Sequence, residues 1–131
     1  KSQDKEVEMV TALDEYQVAT RSTAMYPKIT DSTYMYPLLG LVGEVGELVY
    51  KVKKIYRDDA GVLTDERREA IKHELGDVMW YFARTAEELG FTLSEIGESN
   101  LAHLQELKAR NALHGDGDIG NNQENLRNAS R

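Results

Sequence analysis

The sequence predicts an all-α protein: an antiparallel four-helix bundle that is oligomeric and carries a flexible C-terminal tail. Three observations predict it. Apolar residues recur at helical spacing through four segments, with almost no alternating strand pattern. Proline occurs only at Pro27 and Pro37, ahead of the longest apolar stripe. Short polar stretches join the segments, which favours antiparallel neighbours.

The first helix is expected from about Asp4 to Arg21, with Val7, Val10 and Leu13 at helical spacing. A polar loop holding both prolines follows. Pro37 suits a first helical turn, where no amide donor is needed. The second helix is expected from Pro37 to Tyr56. Leu38, Leu41, Val42, Val45, Leu48, Val49, Val52 and Ile55 form its stripe. Asp58, Asp59 and Gly61 end it. The third is expected from Asp65 to Leu89, stopping at Gly90, a residue suited to the left-handed position after a helix. Thr92 with Glu95 reads as a capping box for the fourth. That helix carries Leu93, Ile96, Leu101, Leu104 and Leu107 to about Leu113.

From His114 the chain turns to Gly, Asn and Asp with few apolar residues. It cannot bury enough surface to offset the entropy of ordering. Residues 1–113 therefore read as the domain and 114–131 as a mobile polar tail. Trp80, Tyr81 and Phe82 follow Val78 and Met79 without a break. Consecutive residues point to different sides of a helix, so the third helix must be covered on several sides. One small bundle does that poorly, and a homo-oligomer is expected.

Bulk properties narrow the function. The 131 residues suffice for one domain with its own core. The formal net charge of -7 argues against a nucleic-acid polymer as partner. With no cysteine there is neither a disulfide scaffold nor a thiolate metal site. No signal peptide or membrane-length apolar run is read, so a cytoplasmic protein without a membrane partner is expected.

The sharpest feature is a pair of acidic pairs. Glu44 and Glu47 lie in Gly-Leu-Val-Gly-Glu-Val-Gly-Glu-Leu, and Glu74 and Asp77 in His-Glu-Leu-Gly-Asp-Val. A spacing of three puts each pair on one helix face. Glu44 and Glu74 fall beside their stripes, the latter that of Ile71, Leu75, Val78 and Phe82; Glu47 and Asp77 lie about 60° further out. On antiparallel helices the four carboxylates face each other at the core rim. So close together they repel and shift upward in pKa unless a cation joins them. Mg2+ suits carboxylates combined with substrate phosphates, and Mn2+ can substitute. An isolated pair of this kind is usually a solvated face; two pairs on adjacent helices weaken that reading. Gly40, Gly43, Gly46 and Gly76 each cost a helix about 1 kcal/mol relative to alanine. Close helix approach, or room for a ligand, would compensate.

At these residues the sequence resembles the MazG-like all-α nucleoside triphosphate pyrophosphohydrolases, whose pattern is E-x-x-E on one helix and E-x-x-D on the next. Glu44, Glu47, Glu74 and Asp77 fill it, and the likeness runs from about Tyr16-Gln17 to Gly117-Asp118. The resemblance implies a dimer or tetramer, Mg2+ at the four carboxylates, and water attack on the α-phosphorus. Nucleoside triphosphates, deoxy forms included, would give the monophosphate and pyrophosphate, in a nucleotide-pool house-cleaning role. The chain departs on its last helix, where members often carry Asn-x-x-Lys-Leu and then Arg. Here Asn100 is followed by His103 and Leu104, with Lys108 and Arg110 beyond.

Candidate substrate contacts are Gln17, Lys51, Lys54, Asn100, His103 and Arg110. Asn100 is expected mid-stripe on helix four, where a buried amide needs a partner. Lys51 and Lys54 are placed to hold the triphosphate, or merely to compensate the helix C-terminus. Gln17 faces either a base or the backbone. Arg84 is expected to pair first with Glu88, and Trp80 and Tyr81 to pack rather than stack a base. Glu47 is the candidate general base. A di-iron carboxylate bundle would need Glu-x-x-His motifs. His73, His103 and His114 do not supply them. The remaining alternative is a non-catalytic helical nucleotide-binding or interaction module.

Overall fold

The computed structural model describes residues 12–110. Four α-helices account for most of them: α1 (Leu13–Thr20), α2 (Met35–Asp58), α3 (Asp65–Glu88) and α4 (Leu93–Ala109), with a 3-10 turn at Arg21–Thr23. Among the described residues the only β pairing is an isolated bridge between Ile29 and Ser32. The all-α class stands. The expected start of the first helix, the last residues expected for the fourth and the whole expected tail lie outside the described residues.

The helix ends are written in local chemistry. Ser32 Oγ accepts the Met35 amide at 3.2 Å, which opens α2 two residues earlier than the stripe suggests. Pro37 falls in that first turn and is fully buried. Thr64 Oγ1 accepts the Arg67 amide at 3.2 Å and caps α3, with Asp65 and Glu66 favourably placed in its first turn. At the other end Gly90 adopts φ +82. Its amide reaches the Glu87 carbonyl and the Phe91 amide reaches the Ala86 carbonyl, both at 2.9 Å. That is the paired bonding by which a left-handed glycine closes a helix.

The chain divides into two compact units, 1–94 and 95–131. Within the first, α2 and α3 are antiparallel neighbours. Asp59 meets Arg67 at 2.6 Å, Lys51 meets Glu74 at 3.5 Å, and Gly40 lies against Tyr81. Numbers fall along α2 as they rise along α3. Among the described residues the buried apolar ones are Ile55, Ala83, Ala86 and Leu93, together with Pro37.

The expected stripes are only partly buried. On α2, Val42 is 68% exposed and Val49 61%; on α3, Leu75 and Phe82 are exposed. Glu74, expected at the stripe's edge, is instead 8% exposed. The inward face of α3 is thus one residue away from the apolar stripe, because α2 packs on the side that carries the carboxylates.

The segment 13–26 is tied to the second half of α3 by polar groups. Arg84, 5% exposed, ion-pairs with Glu87 and with Glu88 at 3.3 Å, and donates to Tyr26 Oη at 3.2 Å. Arg21 Nε donates to Glu87 at 2.7 Å, and Tyr26 Oη donates to Glu88 at 2.5 Å. The hydrogen-bonded Arg21, and Arg84 after it, hold the Glu87 carboxyl below its ordinary value despite partial burial. The expected Arg84–Glu88 pair is present, and Glu87 joins it.

A buried guanidinium deprived of a carboxylate is costly. Glu87→Gln should lower unfolding free energy by about 1–3 kcal/mol at neutral pH. A carboxyl with a lowered folded pKa stabilises above its unfolded value and loses that contribution as pH falls. The gap between wild type and Glu87→Gln should therefore narrow below the ordinary carboxylate value of 4.5. Urea unfolding at several pH values checks both the size and the sign.

Candidate functional site

The carboxylates come from facing positions of the α2–α3 hairpin. Oxygen atoms of Glu44, Glu74 and Asp77 lie within 4.8 Å of one another. Glu74 is buried; Glu44 and Asp77 are half-buried. Each is placed by simple geometry. The three-residue spacing keeps Glu74 and Asp77 on one face of α3, and the antiparallel register sets Glu44 opposite them. Glu47 is exposed and outside this group. The four-carboxylate cluster expected from the sequence is a trio with a fourth acid at its margin. Glu47 lies further round α2, where α3 does not reach.

The trio is electrostatically strained. Desolvation raises the Glu44 carboxyl above its ordinary value, and the charges of Asp77, Glu74 and Glu47 raise it further; His73 opposes them weakly. Two nitrogen-bearing side chains lie nearby. Lys51 Nζ is 3.5 Å from Glu74 Oε1, and His73 Nε2 is 3.9 Å from Asp77 Oδ2. The four-residue spacing from His73 to Asp77 brings the two side chains together on α3. Oxygen-only donors at this separation suit a hard divalent cation.

Aromatic rings line the end of the trio nearer the start of α2. Tyr81 packs over Gly40, and a Cβ at Gly40 would overlap its ring, with Cζ only 2.6 Å away. Trp80 meets Tyr81 edge-on at 4.9 Å, and Trp80 Nε1 donates to Thr23 Oγ1 at 2.8 Å. Tyr26 stacks on Tyr36 at 5.6 Å. Burial raises the phenols of Tyr81 and Tyr16, and the negative charge of Asp77 adds to both. Of the helical glycines expected to allow close approach, Gly40 does so. Added Cβ atoms at Gly43, Gly46 and Gly76 would meet open space.

The expected substrate contacts part company. Lys51 reaches the trio. Lys54 lies over the Tyr50 ring at 4.5 Å, as does Lys53 at 4.8 Å. Gln17 is 4% exposed and fully engaged. Its Nε2 donates to the Phe91 carbonyl at 2.9 Å and the Ala83 carbonyl at 3.5 Å, and its Oε1 accepts the Leu93 amide at 3.0 Å. It thus takes up an amide at the start of α4, beside Asp14, which accepts the Ser94 amide at 3.0 Å. Of the two partners expected for this amide, base or backbone, the backbone holds it. Asn100, His103 and Arg110 belong to the second unit. Asn100 is exposed rather than buried mid-stripe, His103 is half-buried, and exposed Arg110 lies 4.0 Å from Glu106.

The family model for the MazG nucleotide pyrophosphohydrolase domain matches residues 33–108, which span α2, α3 and nearly all of α4. The chain belongs to the MazG family. The resemblance carried by Glu44, Glu47, Glu74 and Asp77 is thereby shown, and all four lie inside the match. A relative described as Gene 37 protein of Mycobacterium phage L5 is 46% identical over 110 residues, covering 81% of this chain and 96% of the relative. No solved structure gives a significant match. No helix among the described residues is long and apolar enough to cross a membrane.

The strain in the trio has a direct consequence. With divalent cations removed at neutral pH, Glu44→Gln should melt a few degrees above wild type, because one desolvated charge is gone. In excess Mg2+ the order should reverse. Calorimetric melts in chelator and in Mg2+ measure both.

Proposed function

We propose that this MazG-family chain hydrolyses nucleoside triphosphates, deoxy forms included, to the monophosphate and pyrophosphate in a Mg2+-dependent reaction. Its role would be nucleotide-pool house-cleaning. The carrying observation is the convergence of Glu44, Glu74 and Asp77 within 4.8 Å, with Lys51 beside them. Glu44, Glu74 and Asp77 would hold the ion, and Mn2+ would substitute. The ion supplies charge neutralisation and polarisation at the phosphate oxygens. Glu47, exposed one turn from Glu44, would accept the proton of the water that attacks the α-phosphorus. Lys51 would carry positive charge to the leaving pyrophosphate. Lys54, on the same helix, would assist it.

Asn100, His103 and Arg110 are further substrate contacts in this reading, on the family pattern of a last helix with polar and basic residues. Gln17 is not among them, since its amide is engaged by backbone. In this reading the enzyme has no nucleic-acid polymer as partner, which accords with a charge of -7.

The exposed apolar face of α2 supports a homo-oligomer, a dimer or a tetramer. Leu39, Val42, Val45 and Val49 are all exposed in the single chain. A contiguous apolar surface of this kind marks an interaction site. Val49→Asp should reduce the sedimenting mass towards that of one 14.8 kDa chain, as analytical ultracentrifugation would record.

Incubation with a panel of NTPs and dNTPs, with and without Mg2+, and ion-exchange separation of the products tests the reaction. Monophosphate and pyrophosphate are expected. Glu47→Gln should cut kcat by about 10²–10⁴-fold while leaving the Mg2+ requirement near that of wild type. Glu74→Gln should raise that requirement. Diphosphate and orthophosphate would mean that a different bond is cut. Nucleotide binding without turnover would favour the non-catalytic module.

A further inference from the structure

The Gly40–Tyr81 contact lies one turn from the carboxylates on both helices at once. Gly40 precedes Glu44 by four residues on α2, and Tyr81 follows Asp77 by four on α3. Each therefore shares a helix face with the carboxylate next to it. The separation of Glu44 from Glu74 and Asp77 is an interhelical distance, so it is set by what lies between the helices. On one side of the trio that is the Lys51–Glu74 contact at 3.5 Å, made by a flexible side chain. On the other it is a rigid ring seated where a β-carbon would be, with Cζ 2.6 Å from that position.

The ring is itself braced. Trp80 abuts it edge-on at 4.9 Å and is tethered to Thr23 by the 2.8 Å indole hydrogen bond. Trp80 also meets Tyr26 edge-on at 6.2 Å, and Tyr26 stacks on Tyr36 of α2. Tyr81 is thus held between Gly40 of α2 and Trp80, which the 13–26 segment braces in turn.

We propose that Tyr81 is a positioning residue for the divalent-ion site. Seated in the notch that Gly40 leaves, its ring gauges the spacing of α2 and α3 at the carboxylates and so places Glu44 against Glu74 and Asp77. The proposal rests on the ion-binding reading above. Mg2+ demands near-ideal octahedral geometry at short distances, whereas Ca2+ accepts longer and more variable ones. A wrong gauge therefore harms Mg2+ binding more than Ca2+ binding, which general loosening of the fold would not do.

The test is titration calorimetry of the full chain with Mg2+ and with Ca2+, alongside circular dichroism. Gly40→Ala and Tyr81→Leu should each weaken Mg2+ binding by about tenfold or more, and Ca2+ binding distinctly less. Tyr81→Phe, which keeps the ring, should stay within about twofold of wild type. The pair Gly40→Ala with Tyr81→Leu, in which the new methyl fills part of the vacated space, should regain much of the loss. Mg2+ affinity unchanged in both single variants would overturn the proposal, as would equal weakening for the two ions. If Gly40→Ala does not fold, Tyr81→Leu decides by the same criterion. Should wild type bind neither ion, the ion-site reading fails and this proposal with it. Should wild type bind and the variants match it, positioning alone fails.

Discussion

The packing of α2 against α3 with carboxylates turned inward is the constraint that organises this protein. A helix pair usually buries its apolar stripes. Here Glu74 is 8% exposed while Leu75, its neighbour, is half in solvent. Burying a carboxylate costs several kcal/mol unless a countercharge answers it. Lys51 answers in part, at 3.5 Å. Glu44, raised by desolvation and by three neighbouring acids, shows that the balance remains incomplete. A hairpin built in this way is less stable than an apolar one and better suited to hold a cation.

The remaining contacts make that hairpin rigid. Asp59 and Arg67 pin its closed end at 2.6 Å. Tyr81 over Gly40 wedges the other end. Arg84, with Glu87 and Glu88, ties the 13–26 segment to α3, and Gln17 and Asp14 hold the first amides of α4. Few apolar residues are buried among the described ones: Pro37, Ile55, Ala83, Ala86 and Leu93. So small a core is consistent with a chain that leaves apolar surface, such as Val42 and Val49, available for a second copy.

The proposed function rests on the same arrangement. Family membership rests on the match over residues 33–108, the stretch that contains the hairpin and its acids. The proposed reaction gives the acid outside the trio a different task from those within it. In the proposed reaction exposed Glu47 would take the proton of the attacking water, and Glu44, Glu74 and Asp77 would hold the cation. The spatial division of four similar side chains supports a division of labour.

The sequence by itself determined the four helical segments, the ends of the third and the identity of the acids. Thr64 before Asp65, Pro37 in a first turn and Gly90 after a last one act within a few residues, so they can be read from the chain. The three-residue spacing of each acidic pair is equally local. Tertiary structure decided which side of each helix faces its neighbour. That choice turned Glu74 inward and Leu75 outward, left Glu47 at the margin, and gave the amide of Gln17 to the backbone around α4. It also made Gly40 the glycine that matters, because a ring from 41 residues further along the chain occupies its notch. Periodicity fixes which residues share a face; only packing between distant segments fixes what that face meets.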